Sequence, residues 1–202
     1  MIFDLDGTLW DSTETSAKIW MKLMENFPEV TDTVTADQLK RLFGRPLREI
    51  GISVLKSVSE ERAAQIIAEC CKLQNPLIAK LGGILYPELE DTLKLLSEQY
   101  KLFIVSNCED GYIESFFEAH GLQKYFTDYE CPGRTGKLKA DNIRLIVERN
   151  GLKNPVYIGD TLGDATAAKE TGVPFIFAEY GFGTVEEYVD KLQTFSDLKK
   201  YL

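Results

Sequence analysis

Four short stretches of the chain hold residues that could do chemistry together. Asp4 and Asp6 close the first apolar run and are followed by Gly7 and Thr8. Ser106 and Asn107 follow the apolar run of residues 102–105. Arg134, Lys137 and Lys139 occupy a loop that leads into a helical pattern, and Gly159-Asp160-Thr161, with Asp164 a turn further on, follows residues 156–158. If Asp4, Asp6 and Asp160 met at one place, each pair about 4 Å apart would repel by roughly 4 kcal/mol at an effective dielectric of about 20. A cation would have to join them. Ligands that are all oxygen suit a hard ion, and a site left open to phosphate and water suits Mg²⁺. A neighbouring lysine would offset the remaining charge and could hold a phosphate oxygen. Taken singly, each stretch is ordinary. Asp-x-Asp is commonly a turn, Ser-Asn a helix cap, Lys137 a solvated charge, and Asp164 an acid favoured in a first helical turn. The signal is their ordered recurrence at successive strand ends.

The elements that must position them follow from pattern. Residues 1–5 predict a short strand that begins almost at Met1. From Asp11 to Leu81 the patterns are helical only. Asp11-Ser12-Thr13-Glu14 and Thr35-Ala36-Asp37-Gln38 both have capping-box spacing ahead of apolar-periodic runs. A third helix is expected after Pro46 and a fourth from about Ser59 to Asn75, stopped by Pro76. Beyond Tyr86-Pro87, strands alternate with helices that end at Gly121, Gly151 and Gly172. The strands are expected at 102–105, 129–131, 156–158 and 175–177, and the helices at 112–120, 141–150 and 164–171. Apolar strands without alternation, joined by helices, indicate a parallel sheet covered on both faces. The expected fold class is therefore α/β: a doubly wound, Rossmann-like parallel sheet core, made of residues 1–11 and 85–202, with an inserted all-helical cap domain, residues 12–84. Hinges are expected near Asp11–Thr13 and Leu81–Pro87. In such sheets ligands sit beyond the carboxyl ends of the strands, where all four stretches lie.

Composition narrows the functional classes. The 202 residues are 44% hydrophobic and 27% charged, as in an ordinary globular chain. A net charge of -9 argues against a general nucleic-acid binder. No apolar run approaches the roughly 20 residues of a membrane span. No signal-like N-terminus is visible, and Cys70, Cys71, Cys108 and Cys131 form no Cys-x-x-Cys pair; the expectation is reduced thiols in the cytoplasm. His120 is the only histidine, so a zinc site built on several histidines is impossible. A serine nucleophile at Ser106 would have to use that one residue as base. Gly133-x-x-Gly136-Lys137 lacks the spacing and trailing hydroxyl of a nucleotide P-loop.

Asp4-Leu5-Asp6-Gly7-Thr8-Leu9, Phe103-Ile104-Val105-Ser106-Asn107, Lys137, and Gly159-Asp160-Thr161-Leu162-Gly163-Asp164 with Gly172-Val173-Pro174 resemble the four ordered motifs of the haloacid-dehalogenase-like hydrolase superfamily. The helical cap after the first motif resembles the branch of phosphoglycolate-phosphatase-like enzymes. The resemblance implies a Mg²⁺-dependent phosphatase acting on a small phosphorylated metabolite through an aspartyl phosphate. Under it, Asp4 attacks phosphorus, and Asp6 protonates the leaving oxygen and then takes a proton from water. Ser106, Thr8 and backbone N–H groups near Asn107 hold the phosphoryl group, and Lys137 pairs with Asp4. Asp4, the Asp6 carbonyl and Asp160 bind the ion, and Asp164 acts there or one shell out. Leu138 follows Lys137 where the family pattern has proline, so Lys139 stays a rival for the site lysine. Glu88 stands where glycine commonly follows Tyr-Pro. Trp10, Trp20, Gly44, Arg45 and Arg48 are the candidate cap contacts, with the Phe43–Pro46 turn reaching over the core. Dehalogenases of this type lack an acid at the position of Asp6, and an alkoxide leaving group needs its proton. A phosphosugar mutase and a signalling receiver module are the alternatives. The long span before Leu85 argues against the receiver.

Overall fold

Short apolar runs without alternation can be buried on both faces only in the middle of a layered sheet, and here they are. The computed structural model describes residues 1–202. In chain order its elements begin with β1 (Ile2–Phe3), β2 (Trp10–Asp11), α1 (Thr13–Met24), α2 (Ala36–Lys40), α3 (Leu47–Val54), α4 (Glu60–Leu81) and β3 (Ile84–Leu85). There follow α5 (Leu89–Gln99), β4 (Leu102–Val105), α6 (Tyr112–His120), β5 (Phe126–Glu130), α7 (Pro132–Thr135) and α8 (Lys139–Arg149). The chain closes with β6 (Tyr157–Gly159), α9 (Leu162–Thr171), β7 (Phe175–Ala178), β8 (Asp190–Leu192) and a terminal 3-10 segment, Phe195–Tyr201.

Six strands form one parallel sheet in the order β5-β4-β1-β6-β7-β8. The strand period of two sorts its side chains. Phe3, Ile104, Ile158 and Ile176 join one buried cluster with α5 and α6; Ile2, Phe103, Val105, Tyr157 and Phe175 join a second with α8 and α9. β1 is only two residues long, but it is bonded on both flanks, to β4 and β6. It is where the connections turn in opposite directions, so the crevice beyond its carboxyl end is the place for a ligand. α5 and the edge strand β8 were not anticipated from sequence. Both lack a clean pattern, α5 because its charged residues alternate closely with leucines, and β8 because it reads Asp-Lys-Leu.

Helices α1–α4 pack on one another as an insertion between β2 and β3, and those two strands pair antiparallel where the chain leaves and re-enters the sheet layer. The capping box at Thr35 forms as expected. Two other expectations do not hold. Pro76 does not stop α4, which continues to Leu81. Gln74, Ile78 and Ala79 around it are buried and α4 packs along α6, so burial outweighs the roughly 3 kcal/mol cost of an interior proline. The capping box expected over Asp11 to Glu14 does not form: the Asp11 carboxylate accepts from the Thr13 N–H at 3.0 Å, and Ser12, directly before α1, makes no side-chain cap. Glu88 takes the left-handed backbone (φ 58°) that glycine usually supplies.

Candidate active site

Asp4 follows directly on β1, and its side chain is buried at the floor of the crevice. Its Oδ1 accepts from Lys139 Nζ at 2.8 Å, whereas its Oδ2 is buried with no partner at all. Lys139 is the first residue of α8, also buried, and its ammonium donates to Asp164 Oδ1 at 2.6 Å. Burial lowers the affinity of that ammonium for its proton, but the charges of Asp164 and Asp4 outweigh it and hold the group firmly protonated. Burial, then the charge of Asp164, lifts the Asp4 carboxyl to about 6 against the opposing pull of Lys139.

Asp160 lies at the end of β6 with no exposed surface. Its Oδ2 accepts from the Phe182 N–H at 2.7 Å and its Oδ1 from the Thr8 hydroxyl at 3.3 Å. A Cβ on Gly7 would stand 2.2 Å from Asp160 Oδ2, and Gly7 has φ 84°, so only glycine fits there. Asp4, Asp160 and Asp164 each offer a carboxylate oxygen, and these oxygens lie within 4.8 Å of one another. Three carboxylates against one ammonium leave two negative charges, the charge that one divalent ion would neutralise. Burial and the neighbouring Asp164 and Asp4 push the Asp160 carboxyl well up. The donor set, all oxygen with one orphaned buried atom, fits a hard cation such as Mg²⁺.

Asp6 lies close enough to Asp4 to feel its charge and lines the adjoining cavity. Its Oδ1 accepts from the Ser12 hydroxyl at 2.5 Å and the Tyr112 hydroxyl at 3.1 Å, and those two hydroxyls lie 2.8 Å apart. Burial lifts its carboxyl to about 7, with the Ser12 bond opposing and the Asp4 charge adding. Asp6 can therefore hold a proton near neutral pH and give it up, as a general acid must. The same shift makes a stability prediction. A carboxyl whose folded pKa lies above 3.8 binds more protons folded than unfolded, so its contribution falls as pH rises from 3.8 to about 7. Asp6→Asn keeps the acceptor and removes the charge. In metal-free protein, the melting temperature of the variant relative to wild type should rise between pH 5 and pH 8, by the equivalent of a few kcal/mol. A pH-independent difference would contradict the shift.

Above these acids lies the turn between α2 and α3. Asn107 Nδ2 donates to the Gly44 carbonyl at 2.8 Å, bridging the strand end and the insertion. A Cβ on Gly44 (φ 88°) would come 2.9 Å from Thr161 Cγ2. Asp6, Ser106, Asn107, Gly44, Trp20 and Tyr112 line a cavity between insertion and sheet.

The family model for haloacid dehalogenase-like hydrolases matches residues 1–178. The chain belongs to that family. Among curated relatives, a phosphoglycolate phosphatase of Vibrio parahaemolyticus is 26% identical over 194 residues, covering 89% of this chain and 83% of that one. One from Aquifex aeolicus is 27% identical over 188 residues, covering 90% and 85%. A haloacid dehalogenase-like family hydrolase from Streptococcus pneumoniae shares the fold, with a TM-score of 0.82, 22% identity, and coverage of 99% and 96%.

Against the expectations for this hydrolase, the acids Asp4, Asp160 and Asp164 come together, and Asp6 and Ser106 face the adjoining cavity. The lysine is corrected. Lys137 follows the Gly136 turn and points to solvent, while Lys139 reaches Asp4. The rival at position 139 takes the place because α8 itself begins at Lys139, which turns that side chain inward. Thr8 is fully buried, and its hydroxyl donates to Asp160. Asp164 Oδ1 accepts from Lys139, and its Oδ2 from the Thr161 N–H at 2.9 Å and hydroxyl at 2.6 Å, so it anchors the lysine and caps α9 while its carboxylate stays grouped with those of Asp4 and Asp160. Arg45 is exposed on an outer cleft shared with Lys139, Arg48 lines neither space, and Trp10 packs on Tyr112, Phe116 and His120 inside the core. Ser12 and Tyr112, the two hydroxyls on Asp6, were missed. The only sequence signal was the capping-box spacing around Ser12, whose hydroxyl serves the acid and not the helix.

Proposed function

We propose that this hydrolase is a Mg²⁺-dependent phosphatase that releases phosphate from a small monoester through an aspartyl phosphate on Asp4. The observation that carries the reading is the Asp4 carboxylate: one oxygen is fixed by Lys139, and the other is buried, without a partner, at the carboxyl end of the central strand. That free Oδ2 forms a bond to phosphorus as the bond to the leaving oxygen breaks. Asp6, held by Ser12 and Tyr112, gives its proton to the leaving oxygen. Water then attacks phosphorus and loses a proton to Asp6, and the bond from phosphorus to Oδ2 breaks to free inorganic phosphate. Ser106 lines the cavity and hydrogen-bonds the transferring group, and Lys139 holds Asp4 in position and adds positive charge. Asp4 and Asp160, with the Asp6 backbone carbonyl, would hold the ion, which when bound supplies charge to phosphoryl oxygens that no side chain here provides. The relatives named phosphoglycolate phosphatase support phosphate-ester chemistry, and no helix is long and apolar enough to cross a membrane. We further propose that residues 12–84 act as the cap, closing over the site through the Gly44 turn.

The test is phosphate release from p-nitrophenyl phosphate with and without metal. With millimolar Mg²⁺ the protein should turn over; after chelation, activity should fall at least about 100-fold and return on adding Mg²⁺ back. Mg²⁺ should also raise the melting temperature, because it binds the folded acids only. Activity indifferent to chelation would overturn the metal reading.

A further inference from the structure

The cavity beside Asp6 contains groups that the phosphatase reading leaves idle, and a role for them rests on that reading. The group that receives the Asp6 proton must lie next to Asp6, so this cavity is where the leaving group sits. Half of its lining residues are apolar, and several of the polar groups set among them are unsatisfied. Gln74 of α4 is 2% exposed, and its side-chain carbonyl has no partner. Trp20 of α1 is 2% exposed, and its indole N–H has none either. Asn75 donates to the Asp110 carbonyl at 2.8 Å, which leaves its own Oδ1 unpaired. Buried donors and acceptors without partners are costly, and a cavity that collects three of them is shaped for a ligand that supplies the missing bonds. No lysine, arginine or histidine lines this space, whereas Asp6 and Glu109 do.

We infer that the leaving group is a small uncharged alcohol that bears a further hydroxyl, and that Gln74 and Trp20 read that hydroxyl. A hydroxyl both donates and accepts, so it can satisfy the Gln74 carbonyl and the Trp20 N–H together. A carboxylate, even one that accepted from Trp20, would be buried beside two acids without a countercharge. The curated relatives are phosphoglycolate phosphatases by name, and phosphoglycolate carries such a carboxylate. This chain therefore discriminates against the substrate those names suggest.

A matched series of two-carbon esters tests it, assayed with Mg²⁺: 2-hydroxyethyl phosphate, 2-phosphoglycolate, ethanolamine phosphate and ethyl phosphate. The first should show a kcat/KM at least about 10-fold above each of the others, since a site built to bond a hydroxyl rejects analogues lacking it. Gln74→Lys supplies a cation and should shift the ratio of 2-phosphoglycolate to 2-hydroxyethyl phosphate at least about 10-fold toward the acid. A wild-type preference for phosphoglycolate, for the ammonium ester, or for none of the four overturns the hydroxyl assignment while leaving the phosphatase reading intact. An unmoved ratio in Gln74→Lys overturns the role of Gln74. If p-nitrophenyl phosphate and all four esters go unhydrolysed, the phosphatase reading fails and this inference fails with it.

Discussion

Asp4→Asn should abolish phosphate release, with turnover at least about 10³-fold below wild type, the scale on which loss of a nucleophile is felt. The amide offers no anionic oxygen to phosphorus, yet its remaining oxygen can still accept from Lys139, so the fold survives the change. The variant should melt no lower than wild type in metal-free buffer, because it removes one of the carboxylates crowded within 4.8 Å of each other. Quenched-flow labelling should trap phosphate on the wild-type chain and none on the variant. Phosphate release near the wild-type rate would remove Asp4 as nucleophile and with it the proposed order of bond making and breaking.

The second large effect separates two lysines that lie two positions apart. Lys139→Met should lower kcat/KM at least about 100-fold, while Lys137→Ala should stay within about twofold of wild type. Lys139 is buried between Asp4 and Asp164, and stripping one partner from a buried ion pair costs about 3–5 kcal/mol. For a chain of this size that is a drop in melting temperature on the order of 10 °C, read by calorimetry. Lys137 is exposed and should leave no mark on either measurement. If the two variants exchanged phenotypes, the helix start at Lys139 would be misplaced.

Much of this arrangement was legible in the chain itself. Phe3, Ile104 and Ile158 announced buried parallel strands because nothing polar interrupts them, and a parallel sheet gathers its strand-end residues on one side. Asp4, Asp6 and Asp160 could be read for the same reason: each closes or directly follows an apolar run. What failed was information not carried by local pattern. Which of two nearby lysines turns inward depends on the first turn of α8, where boundaries shift by a residue or two. Asp11 to Glu14 had the spacing of a capping box, but Ser12 within that stretch gives its hydroxyl to the acid at position 6. Tyr112 reaches Asp6 from 106 residues away in sequence, and only the assembled fold brings it there. Pro76 is the reverse case, a strong local signal overruled by the packing of α4 on α6.

The pairing of β2 with β3 restricts how the insertion can travel. Two separate tethers would let it tilt, roll and slide in any combination. Here Trp10 lies against Leu85 and Asp11 against Ile84 in an antiparallel ladder, so the outgoing and returning strands bend as one ribbon. A ribbon flexes easily out of its own plane and resists shear within it. If the insertion moves as proposed, that ladder should reduce its excursions to a swing about one axis, one that would open and close the gap between Gly44 and Asn107.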